Sequence, residues 1–293
     1  MALQHDSLNQ GRSFKRLLLT GRTGGVGRAT RQRVAGSAQC IRISDLPGTL
    51  NADTAPDEEL APCDLADRQA VHALVAGCDA NIHLGGMSVE RPFEEILEAN
   101  VKGVFHLYEA ARRRGVKLIV LASSNHVTGF YRQDEGIDAS ARKRPGDDYG
   151  LSESFGKGMA QLYFDRYGIE TVRIRVGSVF PEPKDRRMMA TWTGNDDFHD
   201  LLKRALFAPA VGHAIVFSVS AIAYTWWDNR EATRPGFQPH DSSEQLRDKI
   251  EAMPRPAVDD PAAMLQGGAF TAVGPFNPLP PVQCMQNHVC HWL

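Results

Sequence analysis

Apolar positions change period repeatedly through the first 180 residues. Residues 16–20 form a short apolar run stopped by Gly21, and 40–45 alternate with β-branched side chains, so both read as strands. Residues 79–84, 116–121 and 169–176 read the same way. Between these runs, 29–35, 67–77, 92–114 and 149–167 carry helical spacing. Asp67 is a candidate N-cap, and Arg112, Arg113 and Arg114 before Gly115 suit a helix C-terminus by charge and by stop residue. Strands alternating with helices predict βαβ units. The expected fold is α/β, a doubly wound parallel sheet of Rossmann-like type.

Past Phe180 the rhythm breaks at Pro181 and Pro183. A helix over 198–207, a strand over 214–218 and a helix over 242–253 remain, and read as a small C-terminal substrate cap on the edge where such sheets bind ligands. The expected division is an N-terminal extension (1–14), a dinucleotide-binding core (15–180), substrate-binding elements packed on it (181–278) and an irregular, proline-rich tail (279–293). No internal repeat is visible.

Composition narrows the function. The chain of 293 residues can bury a core without disulfides or metal. Its 33 Lys and Arg nearly balance 35 Asp and Glu, for a net charge of −2. That argues against nucleic acid and against an anionic membrane surface as partners. No run approaches the ~18 apolar residues of a membrane span, and residues 1–15 are too polar for a secretory signal. Five cysteines (Cys40, Cys63, Cys78, Cys284 and Cys290) show no disulfide framework, so a reducing cytoplasmic setting is expected. Cys284, His288, Cys290 and His291 lack a standard zinc spacing, and no metal is expected.

The first candidate chemistry is the loop Thr20-Gly21-Arg22-Thr23-Gly24-Gly25-Val26-Gly27, placed between a strand and a helix. Free N–H groups at a helix N-terminus face a pyrophosphate, and Gly21, Gly24, Gly25 and Gly27 let the backbone approach it. Asp45 closes the second strand 24 residues after Gly21, where a carboxylate accepts the adenosine ribose hydroxyls and repels a 2′-phosphate. NAD is therefore the expected cofactor, although Arg22 and Arg28 near the loop soften the exclusion of NADP. Asp64 and Leu65 follow the next strand and flank the adenine in this reading.

The strand at 116–121 runs into Ala122-Ser123-Ser124-Asn125-His126, and a later helix opens on Tyr149-Gly150-Leu151-Ser152-Glu153. With the glycine loop, Leu84-Gly85-Gly86 and Asn100 in Asn-Val-Lys-Gly-Val-Phe, these residues resemble the extended short-chain dehydrogenase/reductase family. Within it, His83 to Glu90, Ser123 to His126, Pro181-Glu182-Pro183 ahead of Arg187-Met188, Trp226 to Asn229 and Gln266-Gly267-Gly268 are similar to the NAD-dependent uronate dehydrogenases.

The resemblance implies oxidation of a free hexuronic acid (glucuronate or galacturonate) at C1 to an aldarolactone, with hydride transfer to NAD. It implies Tyr149 as general base, Ser124 on the same hydroxyl oxygen and Asn100 as a further catalytic landmark. Ser88, Asn125, His126 and Ser178 would grip sugar hydroxyls, and Arg187 the C6 carboxylate. Leu84, Gly85, Gly86, Val26 and Tyr149 would contact the dinucleotide. A homo-oligomer is also implied. An arginine suits a carboxylate on its own chemistry, because its planar fork binds bidentately.

One position departs from the family pattern. The residue one helical turn past the tyrosine is Glu153, where the family has a lysine that lowers the tyrosine pKa and holds the nicotinamide ribose. A carboxylate there raises the tyrosine pKa, and a loss of order 10³-fold in turnover is expected. Lys157, one turn further on, is placed to pair with Glu153 and blunt its charge. Two alternatives stay open. One is an NAD-binding protein without turnover, which Glu153 favours. The other is a sugar-nucleotide epimerase or dehydratase, which shares the landmarks but usually has a larger C-terminal region.

Overall fold

The computed structural model describes residues 13–50, 53–274 and 276. Seven strands form one parallel sheet: β1 (Phe14–Thr20), β2 (Ala38–Ser44), β3 (Glu58–Leu60), β4 (Ala80–His83), β5 (Leu118–Ser124), β6 (Glu170–Val176) and β7 (His213–Ser218). Their order is β7-β6-β5-β4-β1-β2-β3, so the winding reverses between β1 and β4. In doubly wound sheets the crevice at that reversal is the ligand site. The register puts Thr20 of β1 between Ser44 and His83, all three at strand C-termini.

Five main helices cover the faces: α1 (Gly25–Val34), α2 (Arg68–Leu74), α3 (Gly103–Arg114), α4 (Asp148–Tyr167) and α5 (Asn195–Phe207). Successive strand residues point to opposite faces, and the two cores follow that alternation. Leu17, Leu19 and Val120 pack with Val34 of α1 and with Phe198, Leu201 and Leu202 of α5. Leu18, Ile119 and Leu121 pack with Val71 of α2, Leu107 of α3 and Met159 of α4. Each such side chain contributes roughly 1.5–3 kcal/mol on burial.

The caps behave as read. Asp67 accepts from the N–H groups of Gln69 and Ala70, and Gly115 ends α3 in the left-handed region at φ 78°. Three expectations shift. The helix read over 92–114 is instead a helical turn Phe93–Ile96, a π-helical stretch Leu97–Lys102, and α3. The π stretch carries Asn100, whose amide ties down the Met87 loop, and such widened turns commonly serve functional positions. The expected helix 242–253 is a 3-10 turn Ser243–Leu246 followed by Arg247–Glu251. The strand read ahead of Asp64 is the short edge strand β3. The segment after Phe180 supplies β7, an edge strand of the sheet itself. The tail with Cys284, His288, Cys290 and His291, and residues 1–12 of the extension, lie outside the described residues.

Candidate active site

The glycine loop lies where β1 meets α1. Gly21 has φ 76°, and a Cβ there would sit 2.5 Å from the Leu84 backbone. A Cβ on Gly27 would lie 2.0 Å from the Gly21 carbonyl oxygen, so both glycines are required by packing of backbone on backbone. Gly25 has no neighbour within 4 Å of its Cβ position, leaving open space at the helix N-terminus. Gly24 caps α1 without any side-chain hydrogen bond, so the first N–H groups remain available to an anion.

A cleft of about 390 Å³ runs from this loop along the strand ends. All twelve residues expected to hold the cofactor line it: Gly21, Gly24, Gly25, Val26, Gly27, Asp45, Asp64, Leu65, Leu84, Gly85, Gly86 and Tyr149. Ser88 and Glu153 line it too. At one end, Asp45 Oδ2 accepts from both the N–H and the hydroxyl of Thr23, each at 2.7 Å. The carboxylate therefore braces the glycine loop while lining the cleft. The open loop and the acidic strand end fit a dinucleotide of the NAD type.

At the other end, β5 terminates in Ser124, whose hydroxyl accepts from the His126 N–H at 3.1 Å and starts the 3-10 turn Asn125–Thr128. The same hydroxyl lies close enough to the Tyr149 phenol to favour its ionised form. Asp147 holds this arrangement from two sides. Its Oδ1 caps α4 at Gly150 N–H, and its Oδ2 meets His126 Nδ1 at 2.7 Å. Gly150 is obligatory, since a Cβ there would stand 2.4 Å from the His126 carbonyl oxygen. Glu90 accepts from the N–H groups of Asp148 and Tyr149, at 3.2 and 2.8 Å. Asn100 donates to Ser152 at 3.0 Å and to the Met87 carbonyl at 2.9 Å, so it joins the tyrosine helix to the Gly86–Ser88 loop.

Two of the expected sugar-binding residues, Asn125 and Arg187, meet through a segment far along the chain. The Gln266 carbonyl accepts from Asn125 Nδ2 at 3.0 Å and from Arg187 Nε at 3.1 Å. Gln266 is fully buried, and its side chain is itself held by Trp227 and by the carbonyls of Arg132 and Glu135. The Arg187 guanidinium lies 5.7 Å from the Trp226 ring. Burial lowers the Arg187 pKa to about 10, which still leaves it charged at neutral pH. Ser178 pairs with Thr191 at 3.1 Å, and Thr191 reaches back to the Arg187 carbonyl. Trp227 stacks on Phe217 at 4.7 Å and is fully buried, a packing anchor beside the site.

Comparison with known proteins decides the family. The model of the NAD dependent epimerase/dehydratase family matches residues 17–195. The chain belongs to the NAD-dependent epimerase/dehydratase family. It is 57% identical over 267 residues to the uronate dehydrogenase of Pseudomonas syringae pv. tomato, covering 90% of this chain and 95% of that one. The crystal structure of a glucuronic acid dehydrogenase from Chromohalobacter salexigens superimposes with TM-score 0.85 at 49% identity, covering 89% and 98% of the two chains. A tyrosine-to-alanine mutant of the Agrobacterium tumefaciens uronate dehydrogenase, complexed with NAD, superimposes equally well at 44% identity and the same coverage.

Against that family background Glu153 stands out. It sits on the tyrosine's face of α4, and burial, with the Glu153 charge added, pushes the Tyr149 phenol far above its ordinary range. The expected pairing with Lys157 is not what the fold provides. The cation within ion-pair distance of Glu153 is Arg173 of β6, at 3.6 Å. Lys157 instead faces Arg175, Lys143 and Arg173, which with burial hold its pKa down. Sequence reading missed Asp147, Glu90, Gln266 as a hub, and Arg173. For Asp147 a signal existed, an acidic residue just ahead of a helix start. For the others the contact spans elements that nothing local relates.

Proposed function

We propose that this protein is an NAD-dependent uronate dehydrogenase, an oxidoreductase that oxidises a hexuronic acid at C1 to its aldarolactone. The observation that carries this is the Ser124–Tyr149 pair at one end of the dinucleotide cleft, with Asn125 and Arg187 bound to one carbonyl beyond it. The likeness to uronate dehydrogenases over nine-tenths of the chain supports it. Bound NAD supplies the acceptor for the C1 hydride. Tyr149, as phenolate, takes the proton of the C1 hydroxyl, and Ser124 hydrogen-bonds the same oxygen. Asn100 positions the tyrosine helix. Ser88, Asn125, His126 and Ser178 bind ring hydroxyls. Arg187 binds the C6 carboxylate, where a charged fork discriminates acid from neutral sugar.

A second reading has its own observation. Glu153, on Tyr149's face of the helix, opposes the phenolate and favours a protein that binds NAD without turnover. NADH formation by the full chain, measured with glucuronate, galacturonate and nucleotide sugars, separates the readings. Turnover on free uronates alone is expected. Turnover on nucleotide sugars alone, or none at any pH with NAD still bound, overturns the proposal.

The cytoplasm and a homo-oligomer complete the reading. The free thiols of Cys40, Cys63 and Cys78 support the first, and no helix among the described residues is long and apolar enough to cross a membrane. Exposed Phe105 on α3 and Leu151, Phe155 and Leu162 on α4 support the second. Light scattering on the purified chain tests it.

A further inference from the structure

We infer that Arg173 is a positioning residue for the reaction, supplying from the neighbouring strand the positive charge that position 153 of the tyrosine helix lacks. The inference rests on the reading of Tyr149 as the base. Strand β6 is an interior strand, paired on both sides between β5 and β7, where parallel strands are normally apolar on both faces. Yet Arg173 is wholly buried there, on the face turned to α3 and α4. A buried guanidinium costs several kcal/mol unless it is engaged. Arg173 is engaged at the site. Its Nη2 donates to the Ser123 hydroxyl at 2.7 Å and to the Glu153 carbonyl at 2.7 Å, and stands 3.6 Å from the Glu153 carboxylate. The Ser123 hydroxyl in turn favours the ionised form of that carboxylate. Ser123 is next to Ser124, and both it and Glu153 line the dinucleotide cleft.

The charges around the pair fix the direction of the effect. Glu153 and Asp147 face the Tyr149 phenol and oppose its ionisation, while Arg173 favours it. The His126 ring lies 5.6 Å from the tyrosine ring, and Glu90 holds the backbone N–H of Tyr149. Arg173 itself is faced by Tyr108 of α3 and by Glu153 and Tyr149 of α4. Arg175, Lys143, Lys157 and His213, each cationic or able to become so, also feel the Arg173 charge. The Glu153 carboxylate is the charge that favours the Arg173 cation among them. The pair offsets part of the Glu153 charge that opposes the base. Position 153 keeps an acceptor toward the cleft, suited to a ribose hydroxyl, where a lysine would donate.

The test is a charge-relocation cycle on the full chain: unmodified, Arg173→Leu, Glu153→Lys, and both together. Tyrosinate absorbance is titrated without cofactor, with Tyr149→Phe subtracted to isolate one phenol among six. The kcat/KM pH profile for uronate is read beside it. With Arg173→Leu, the Tyr149 titration and the acid limb both move up by about one pH unit, a tenfold loss at fixed neutral pH. The double variant restores both, because the lysine then carries the charge. Glu153→Lys alone crowds two cations and loses thermal stability. If Arg173→Leu does not fold, Glu153→Gln with and without Arg173→Leu makes the same comparison with no stranded carboxylate. An unmoved Tyr149 titration and unmoved acid limb on loss of Arg173 overturn the inference. A tyrosinate shift in a chain with no uronate turnover upholds it and sinks the proposed function instead.

Discussion

Removing the charge of Glu153 while keeping its shape is the sharpest perturbation of this site. Side chains one turn apart on a helix lie about 6 Å apart, and at an effective dielectric of about 20 a unit charge there is worth about 2.8 kcal/mol to a phenolate. Arg173 at 3.6 Å from the carboxylate cancels part of that. Taking half as cancelled leaves about 1.4 kcal/mol, or about one pKa unit. Glu153→Gln therefore lowers the Tyr149 pKa by about one unit and raises kcat/KM at pH 7 about tenfold, with KM for NAD changed little. The assay is steady-state NADH formation from glucuronate across pH. In the unmodified chain the rate climbs with pH, since burial and Glu153 both raise the phenol. In the variant the climb begins about one unit earlier. A profile identical in the two chains means that Glu153 is neutral or too far to act, and the electrostatic reading of this helix fails.

Four further outcomes are expected. Asp45→Ser removes both the ribose acceptor and the brace on Thr23, so NAD affinity falls about tenfold and discrimination against NADP shrinks; unchanged KM values for both would refute this. Gly150→Ala forces a Cβ into the His126 carbonyl at 2.4 Å, which displaces the start of α4 and lowers turnover by 10²-fold or more, of order 2 kcal/mol or more; wild-type turnover refutes it. Arg187→Lys gives up the fork on the acid end and raises KM for uronate about tenfold while NAD binding holds, readable by separate titrations. Burial holds the His83 pKa at about 4 against 6.5, so the folded state resists protonation there. Its contribution is complete above pH 6.5 and is lost as pH falls toward 4. Stability to urea should drop by about 2 kcal/mol between pH 7 and pH 5 from this residue, and more with His199, whose pKa is also near 4. Equal stability at the two pH values refutes it.

What could be read along the chain was local in its physics. Period-two and period-3.6 patterns announced the strands and helices, because burial of one face is written into consecutive residues. The glycines of the phosphate loop, Asp45 at a strand end, and Ser124 and Tyr149 at an element's edge each needed only one turn of context. The tertiary structure alone chose the partners. Lys157 is four residues from Glu153, but Arg173 on a different strand is the cation that reaches it. Asn125 and Arg187 meet on Gln266, a residue distant from both in the chain. A pattern of apolar and polar positions reports which side chains are buried. It carries no term for which buried charge lies beside which, since that depends on how strands order themselves in the sheet and on the cost of stranding a charge in the interior.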